Sequence, residues 1–310
     1  MISIINLVKQ YGSFCAVNQL CLEIGQGEIF GFVGPNGAGK TTTMKIIAGL
    51  LPATSGRVLV QNTDVIQNPR ALREKIGYMP DFFGVYDNLK VSEYMDFYAG
   101  AYYIPYRDRP ALIGNLLELV GLTGKIDTYV DSLSRGMKQR LCLARALIHD
   151  PDVLLLDEPA SGLDPRARVE MKEVLKQLKQ LGKTIIISSH ILSELAELCS
   201  VIGIMNHGQL SAHGSIAEIT KQLSSGRTIL LKPLEMSDPL IRLLNENASI
   251  SGLIENVADC EFRFDGNDEA LARLLTELVK NNIPIVSFRE REGNLEDAFM
   301  QLTGGDEEND

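Results

Sequence analysis

The sequence GPNGAGKTT, from Gly34 to Thr42, matches the phosphate-binding pattern G-x-x-x-x-G-K-[ST]. It follows the apolar run IFGFV and precedes the helix-like segment MKIIAGLL, so the expected local structure is strand, loop and helix. Glycines allow backbone N–H groups to turn inward onto phosphate oxygens, and the N-terminus of the following helix adds its positive dipole end. This stretch therefore predicts a binding site for a nucleoside triphosphate.

Two side chains of this loop have the chemistry that a bound triphosphate requires. Lys40 supplies a positive charge for the β- and γ-phosphate oxygens, and the hydroxyl of Thr41 is placed to ligate Mg²⁺. The predicted nucleotide-binding residues of the loop are Gly34, Pro35, Asn36, Gly37, Ala38, Gly39, Lys40, Thr41 and Thr42.

Length and composition limit the class of protein. A chain of 310 residues with 45% hydrophobic and 23% charged residues is typical of a globular protein with about two domains. The net charge of −10 argues against broad binding of nucleic acid. The five cysteines lack CxxC spacing, which argues against a zinc site or a disulfide framework. With no membrane-length apolar run and no secretory signal, the sequence predicts a cytoplasmic location.

The order of apolar segments predicts an α/β fold. Short strand-like runs separated by glycine turns precede the phosphate loop, and strands then alternate with helices, as in VLLLD, KTIIISS and VIGIMN. This alternation indicates a mostly parallel sheet core with an antiparallel β part. Helical spacing interrupts it at about residues 82–145, which we interpret as a helical insert within a nucleotide-binding domain at residues 1–215.

A second unit is predicted at residues 226–304. Its segments follow the order β-α-β-β-α-β, which is the ferredoxin-like arrangement of a small α+β domain. One more helix is predicted in GNLEDAFMQL, and residues 305–310 read as a short, acidic, disordered tail. This unit shows no recognisable catalytic cluster, so the sequence leaves its role open.

The segment VLLLDEP supplies carboxylates for a hydrolytic site. Asp157 and Glu158 follow a buried strand, and the carboxyl end of a parallel strand lies beside the phosphate loop in enzymes of this type. We expect Asp157 to hold Mg²⁺, directly or through water, and Glu158 to act as the general base on the attacking water.

Three further segments carry a resemblance to a known family. LSRGMKQR lies at residues 133–140, SGLD at residues 161–164, and His190 follows the strand-like TIIISS. Together with the phosphate loop and the DEP segment, this order and approximate spacing resemble the ATPase subunits of ATP-binding cassette transporters. The resemblance extends from the start of the chain to about His213, and it implies a P-loop NTPase cassette that hydrolyses ATP.

The resemblance also implies roles for residues outside the phosphate loop. Ser134 and Gly136, in the signature segment, would contact the γ-phosphate bound by the opposite subunit. Asp164 would link the two sites, and His190 would contact the γ-phosphate and hold the catalytic arrangement.

At the other end of the nucleotide, the resemblance implies a platform for the base. Tyr11 resembles the aromatic residue that stacks on adenine, with Val17 packing beside it.

Two positions depart from the family pattern. Asp81 stands where the family usually carries a Mg²⁺-binding glutamine; a carboxylate still ligates Mg²⁺ but cannot donate a hydrogen bond as an amide does. Arg135 replaces the first glycine of the signature segment. Its guanidinium could approach a phosphate, or it could be a solvent-directed variant that leaves Ser134 and Gly136 in place.

The resemblance implies partners as well. Each ATP would lie between the phosphate loop of one subunit and the signature segment of another, so the expected unit is a two-fold dimer, most simply a homodimer, with two composite sites. A separate membrane permease is implied, with the aromatic region from Phe82 to Tyr103 as its docking surface. Variants like LSRGM resemble export-type members. The chain would then lie peripherally at the inner face of the cell membrane.

Two other functions remain open at this point. A soluble cassette ATPase could act in a non-transport assembly, such as one on chromosomes or ribosomes. A regulatory module could hold ATP without hydrolysing it, although the presence of Glu158 and His190 favours an enzyme.

Overall fold

The structure, a computed structural model, describes residues 2–65, 67–82, 84, 88–223 and 227–291. The chain divides into two compact units, of which the first ends at Ile216 and the second begins at Ala217. The described strands of the first unit are β1 (Ile2–Tyr11), β2 (Phe14–Ile24), β3 (Ile29–Val33), β4 (Ser55–Val60), β5 (Thr63–Asp64), β6 (Ile76–Met79), β7 (Val153–Asp157), β8 (Thr184–Ser189), β9 (Val201–Asn206) and β10 (Gln209–Gly214). The helices are α1 (Lys40–Ile47), α2 (Val91–Ala101), α3 (Arg109–Leu119), α4 (Arg135–Ala146), α5 (Pro165–Gln180) and α6 (Leu192–Ala196), and α7 (Ile216–Leu223) begins at the boundary.

Two sheets build the first unit. One is an antiparallel sheet with the order β2-β1-β4-β5, and the other has the order β10-β9-β3-β8-β7-β6. In the second sheet β9, β3, β8, β7 and β6 are parallel, and β10 pairs antiparallel with β9. The predicted α/β cassette with a mostly parallel core and an antiparallel part is therefore confirmed.

The main hydrophobic core joins the two sheets. Phe30 and Phe32 of β3 are fully buried, and they belong to one cluster with Ile4 of β1, Val58 of β4 and Met44 of α1. Strands β3, β7 and β8 are buried along their whole length, as expected for parallel strands covered on both faces. The sheet is therefore a rigid support for the loops that follow its strands.

The register of the parallel strands sets the position of the functional segments. Val33 of β3 is the Cα partner of Ser189 in β8, and Ser188 is the partner of Asp157 in β7. The three strands therefore end at one edge of the sheet. The phosphate loop, the segment that begins at Glu158 and the segment that begins at His190 all start at that edge.

The region predicted as a helical insert holds helices α2 and α3 and nearly all of α4, with 3₁₀ turns at Thr123–Lys125 and Val130–Ser132. Tyr94 of α2 is fully buried, and its hydroxyl accepts a hydrogen bond from Arg145 at 3.3 Å. Arg145 also lies over the ring of Tyr98. Two of the predicted docking aromatics, Phe83 and Tyr86, lie outside the described residues.

The second unit contains β11 (Arg227–Pro233), α8 (Asp238–Glu246), β12 (Ile250–Glu255), β13 (Cys260–Phe264), α9 (Asp268–Lys280) and β14 (Ile285–Arg291). Its sheet has the order β12-β13-β11-β14, and all neighbouring strands are antiparallel. Leu231, Phe262, Leu244 and Leu278 are buried in its core. The predicted helix in GNLEDAFMQL and the acidic tail lie outside the described residues.

Within the described ranges, we find no helix that combines the length and the apolar character needed to cross a lipid bilayer.

Gly77 is a sensitive point of this fold. A Cβ there would press on the backbone carbonyl oxygen of Ala146 and lie 2.8 Å from Leu154 Cδ2. We expect Gly77→Ala to lower the free energy of unfolding of the first unit by about 2 kcal/mol, the usual cost of overpacking. Gly114, in α3, has no neighbour within 4 Å of an added Cβ. Gly114→Ala should therefore stabilise the unit by about 0.5–1 kcal/mol through helix propensity.

Urea denaturation of both variants followed by circular dichroism tests this pair. Equal stability of the two variants would contradict the close packing of β6 against the end of α4.

Candidate active site

The phosphate loop connects β3 to α1, and at two of its positions only glycine fits. Gly39 has φ +103° at the N-cap of α1, which lies in the left-handed region. At Gly34 a Cβ would press on the backbone carbonyl oxygen of Met205. The loop is thus held close to β9 and presents its backbone at the start of α1. Such a helix start is suited to binding an anion.

Lys40 is buried beneath this loop, with 5% of its surface exposed. Its Nζ donates hydrogen bonds to the carbonyl oxygens of Gly34 at 2.6 Å and Pro35 at 3.1 Å, and lies 3.9 Å from Glu158 Oε1. Burial lowers the pKa of this amine, and the charges of Glu158 and Asp157 oppose that shift. The amine is therefore directed into the site and held at the loop.

Asp157 is the carboxylate at the centre of the site, and it is 1% exposed. Its Oδ1 accepts hydrogen bonds from Thr41 Oγ1 at 3.0 Å and from Ser188 Oγ at 2.6 Å. Thr41 lies at the start of α1 and Ser188 near the end of β8, so one carboxylate oxygen joins the phosphate-loop helix to the sheet. A hydroxyl and a carboxylate are also the hard oxygen donors that Mg²⁺ prefers.

Glu158 follows Asp157 in a strained backbone conformation. Its φ is +50°, which is uncommon for a residue other than glycine, and its N–H donates to Ser188 Oγ at 3.0 Å. Its Oε2 lies 3.0 Å from Nδ1 of His190. Burial raises the pKa of this carboxyl, and the hydrogen bond with His190 opposes the rise. The geometry turns the carboxyl back toward Lys40 and His190.

The cleft beside these groups is lined by most of the predicted nucleotide-binding residues. Its walls are formed by Tyr11, Phe14, Ala16, Asn36, Gly37, Ala38, Gly39, Lys40, Thr41, Thr42, Asp81 and Glu158. Asp81, just after β6, is exposed at the side of the cleft. The side chain of Val17, in contrast, is fully buried in the core. Val17 therefore packs in the core beneath this wall of the cleft, and its neighbour Ala16 lines the cleft.

The predicted residues of the signature segment and of SGLD are placed outside the cleft lining. Ser134 caps α4, with its Oγ accepting from Met137 N at 3.3 Å, and Asp164 caps α5, with Oδ1 accepting from Ala167 N at 2.9 Å. Gly136 is buried where an added Cβ would lie 2.7 Å from that of Ala167. The N-terminal ends of α4 and α5 thus pack directly against each other.

Arg135 is not simply directed to solvent. A Cβ built on Gly162 would lie 2.5 Å from the guanidinium carbon of Arg135, so this side chain covers the backbone of the SGLD segment. Gly162 has φ +64°, which favours glycine independently. The replacement of the first signature glycine by arginine therefore adds a contact between the two segments.

Two residues that face this site were missing from the sequence-based set. Ser188 contacts both Asp157 and Glu158, and its signal was the serine pair that ends the otherwise apolar β8. Phe14 is the cross-strand partner of Tyr11, so the two rings lie on one face of the β1–β2 hairpin. Both rings are exposed, Tyr11 at 48% and Phe14 at 61%.

A phosphate loop on a parallel sheet, with an aspartate and a glutamate at the end of a neighbouring strand, defines a P-loop nucleoside triphosphatase. The comparisons with known proteins give the family. The family model described as "ABC transporter" matches residues 17–161. The linearmycin resistance ATP-binding protein LnrL of Bacillus subtilis is 31% identical over 96% of this chain and 97% of its own length.

Other relatives agree along nearly their whole length. The bacitracin transport ATP-binding protein BcrA of Bacillus licheniformis is 36% identical, with 97% of this chain and 96% of its own covered. The Nod factor export ATP-binding protein I of Burkholderia orbicola is 35% identical, with 96% and 95% covered.

Among solved structures, an ATP-binding subunit of an ABC transporter has 27% identity and a TM-score of 0.65, covering 72% of this chain and 93% of its own. A dimeric ATP-binding cassette in a post-hydrolysis state, bound to ADP and phosphate, has 25% identity and a TM-score of 0.64, covering 70% and 99%. The chain belongs to the ATP-binding proteins of ABC transporters, and it is an ABC ATPase.

Ser188→Ala tests the hydrogen-bonded centre of the site. The variant loses the donor to the Asp157 carboxylate and the acceptor for the backbone N–H of Glu158, so both residues lose a contact that positions them. We expect the rate of ATP hydrolysis to fall by about 10- to 100-fold, as when a supporting partner of a site carboxylate is removed.

The matched control is Ser200→Ala. The hydroxyl of Ser200 donates a hydrogen bond to the carbonyl oxygen of Ile29, at the opposite end of β3 from the phosphate loop. Steady-state hydrolysis by the two purified variants makes the comparison. Equal rates would show that Ser188 does not position the carboxylates.

Proposed function

We propose that this chain is the ATP-hydrolysing subunit of an ABC exporter whose membrane-spanning permease is a separate protein. The observation that carries the catalytic part is the position of Glu158, with one carboxylate oxygen 3.9 Å from Lys40 Nζ and the other 3.0 Å from His190 Nδ1. A candidate base thus lies between the lysine of the phosphate loop and an exposed imidazole. The direction of transport rests on relatives named for Nod factor export and linearmycin resistance.

The residues at the end of β7 and the start of α1 fit a divalent cation. Thr41 Oγ1 and Asp157 Oδ1 are 3.0 Å apart, and the exposed carboxylate of Asp81 lines the same cleft. We propose that Thr41, Asp157 and Asp81 hold Mg²⁺, with some of these contacts made through water. When bound, the ion would neutralise charge on the β- and γ-phosphate oxygens.

In the proposed hydrolysis, Glu158 is the general base and His190 positions it. Nδ1–H of His190 donates to Glu158 Oε2, which leaves the other carboxylate oxygen to accept a proton from the attacking water. Nε2 of the same ring is then available to the γ-phosphate. Lys40 holds the β- and γ-phosphate oxygens from the loop, so the water, base and phosphate are aligned by fixed groups.

The proposed unit is a head-to-tail homodimer with two ATP molecules. Ser134 and Gly136 lie outside the cleft that Lys40 lines, which supports a role toward the nucleotide of a second subunit. The N-terminus of α4 would add its dipole to that contact. Asp164, which caps α5 beside them, would link the two composite sites. Neither subunit alone would then complete a site.

We propose that Tyr11 and Phe14 form a two-ring platform for adenine. Their side chains share one face of the hairpin next to the phosphate loop, and both rings are accessible. Stacking on an aromatic ring suits any flat base, and the fully buried Val17 supports the platform from the core.

The proposed permease surface is the exposed aromatic part of Phe82–Tyr103. Phe82 is 88% exposed, Phe97 52%, Tyr102 38% and Tyr103 93%, whereas Tyr94 is fully buried and belongs to the core. Large exposed aromatic side chains are the kind of residue that protein interfaces favour. Docking there would place the chain peripherally at the cytoplasmic face of the membrane.

We propose a domain division into residues 1–215, with a helical insert at about 82–145, and residues 226–304. The antiparallel order β12-β13-β11-β14, with the element order β-α-β-β-α-β, supports a ferredoxin-like accessory domain. Residues 305–310 are proposed as its acidic tail. The matches to LnrL and BcrA cover 97% and 96% of those proteins, so they include the second unit. This supports a role for the unit in exporters rather than in all ABC ATPases.

Glu158→Gln tests the catalytic assignment. The amide keeps the volume of the side chain but cannot accept the proton of water, so we expect hydrolysis to fall by about 10²- to 10⁴-fold while ATP still binds. Glu118→Gln, at an exposed position of α3, is the control. Hydrolysis and nucleotide binding should be measured on the same preparations. A Glu158→Gln variant with full activity would refute the general-base role.

Copurification tests the transporter assignment. The tagged chain, isolated from native membranes, should bring a polytopic membrane protein in stoichiometric amount, with hydrolysis that depends on Glu158. Phe97→Ala combined with Tyr103→Ala should lose that partner, whereas Leu181→Ala, at a 68% exposed position on another face, should retain it. Recovery of ribosomal or other soluble assembly proteins instead would favour an ABC ATPase that acts outside transport.

The base platform gives a separate prediction. Phe14→Ala should raise KM for ATP about tenfold, because stacking on an aromatic ring contributes about 1–3 kcal/mol per base. Inhibition by inorganic tripolyphosphate, which has no base, should be unchanged. Tyr106→Ala, at a ring 78% exposed elsewhere, is the control. An equal loss of affinity for ATP and tripolyphosphate would show that Phe14 acts on the fold of the hairpin and not on the base.

A further inference from the structure

A buried carboxylate behind the active site is not explained by the proposed chemistry. Glu194, in the short helix α6, is 7% exposed. Its Oε2 accepts a hydrogen bond from Ser189 Oγ at 3.2 Å. Its Oε1 lies 3.1 Å from Arg168 Nε in an ion pair, although the two atoms are not aligned for a hydrogen bond. Burying a carboxylate is costly unless it is paired. This one is paired to two different segments of the active-site region.

On one side, the contact reaches the segment that carries His190. Ser189 comes directly before His190, and Ile191 comes directly after it. The Oγ of Ser189 accepts a hydrogen bond from the N–H of Ile191 at 3.0 Å. One hydroxyl therefore fixes the backbone on both sides of His190. Because this hydroxyl donates its own hydrogen to Glu194, the orientation of the His190 turn depends on that carboxylate.

On the other side, the contact reaches SGLD. Arg168 lies in the first turn of α5, where its N–H donates to the carbonyl oxygen of Asp164 at 3.0 Å. Its guanidinium Nη2 lies 3.5 Å from the carbonyl oxygen of Leu163. The same guanidinium that pairs with Glu194 therefore rests on the segment at 161–164.

We propose that Glu194 is a positioning residue that couples His190 to the SGLD segment of the same subunit. The proposal rests on the proposed function, in which His190 contacts the γ-phosphate and Asp164 faces the partner subunit. When His190 loses its γ-phosphate contact at one site, the Ser189 hydroxyl, Glu194 and Arg168 would shift in turn. This shift would change the position of the SGLD segment at the dimer interface. A buried ion pair with such a role is retained for positioning rather than for stability.

A neighbouring ion pair provides a matched control. Lys172 of α5 and Glu197, just after α6, are 2.6 Å apart, so they join the same two parts of the chain as Arg168 and Glu194. Glu197 is 69% exposed, and its Oε2 accepts a hydrogen bond from Lys172, which lies outside the His190 turn. Removing its charge tests the packing of the two helices without affecting the proposed connection.

The test is steady-state ATP hydrolysis by the full chain. Glu194→Gln keeps the side-chain volume and an acceptor for Ser189 but removes the charge that holds Arg168. We expect kcat to fall about tenfold with KM for ATP within about twofold of the native value, because the nucleotide cleft is untouched. Glu194→Asp, which keeps the charge, should recover part of the loss, and Glu197→Gln should leave kcat unchanged.

A double-mutant cycle identifies the coupling itself. If Glu194 connects the two segments, Ser189→Ala and Arg168→Gln should together lower kcat by clearly less than the product of their separate effects. A multiplicative effect, or a Glu194→Gln variant with the kcat of Glu197→Gln, would overturn the proposal. Glu158→Gln, assayed in parallel, separates the two ideas: if it stays active, the proposed catalytic function fails, whatever Glu194 does.

Discussion

The structure depends most on the carboxylate of Asp157. Its Oδ1 accepts hydrogen bonds from Thr41, at the start of the phosphate-loop helix, and from Ser188, near the end of β8. These groups come from three segments far apart in sequence, and only the parallel pairing of β3, β8 and β7 brings them to one sheet edge. These strands are buried on both faces, so they cannot shift register without disrupting the close packing of the core, and that packing fixes the geometry of the site.

Charge at this edge favours a nucleotide accompanied by a divalent cation. Lys40 is the cation at the loop, and Asp157, Glu158 and Asp81 stand around it. A triphosphate alone would bring more negative charge next to these carboxylates, which is electrostatically unfavourable. The proposed cation between Thr41, Asp157 and the phosphates would remove that conflict. The left-handed backbone of Glu158 favours the same arrangement, because it turns this carboxylate, the proposed base, toward His190.

The sequence predicted those parts of the candidate site that are formed by residues adjacent in the chain. The loop at 34–42, Asp157 and Glu158 could be found because glycine spacing and a strand-terminal acid pair are local patterns. The role of Phe14 and the buried position of Val17 depend on cross-strand register, which no local pattern specifies. The serine pair that ends β8 is a local signal for Ser188, but its contact with Asp157 depends on the register of β7 and β8. Arg135 could not be interpreted either, because its contact with Gly162 joins segments that meet only when α4 and α5 pack together.

The packing of α4 against α5 explains how a signature segment could respond to events at a distance. Gly136 fits against Ala167 with no room for a side chain, so the start of α4 cannot move without moving the start of α5. Arg168, one residue further, pairs with Glu194 and thereby reaches the turn of His190. The chain thus contains a continuous set of contacts from its own candidate γ-phosphate contact to the segment that would meet the nucleotide of a partner subunit. In a two-fold dimer the signature segment of each subunit would contact the nucleotide of the other subunit. The contacts within the two subunits would therefore connect the two nucleotide sites in both directions.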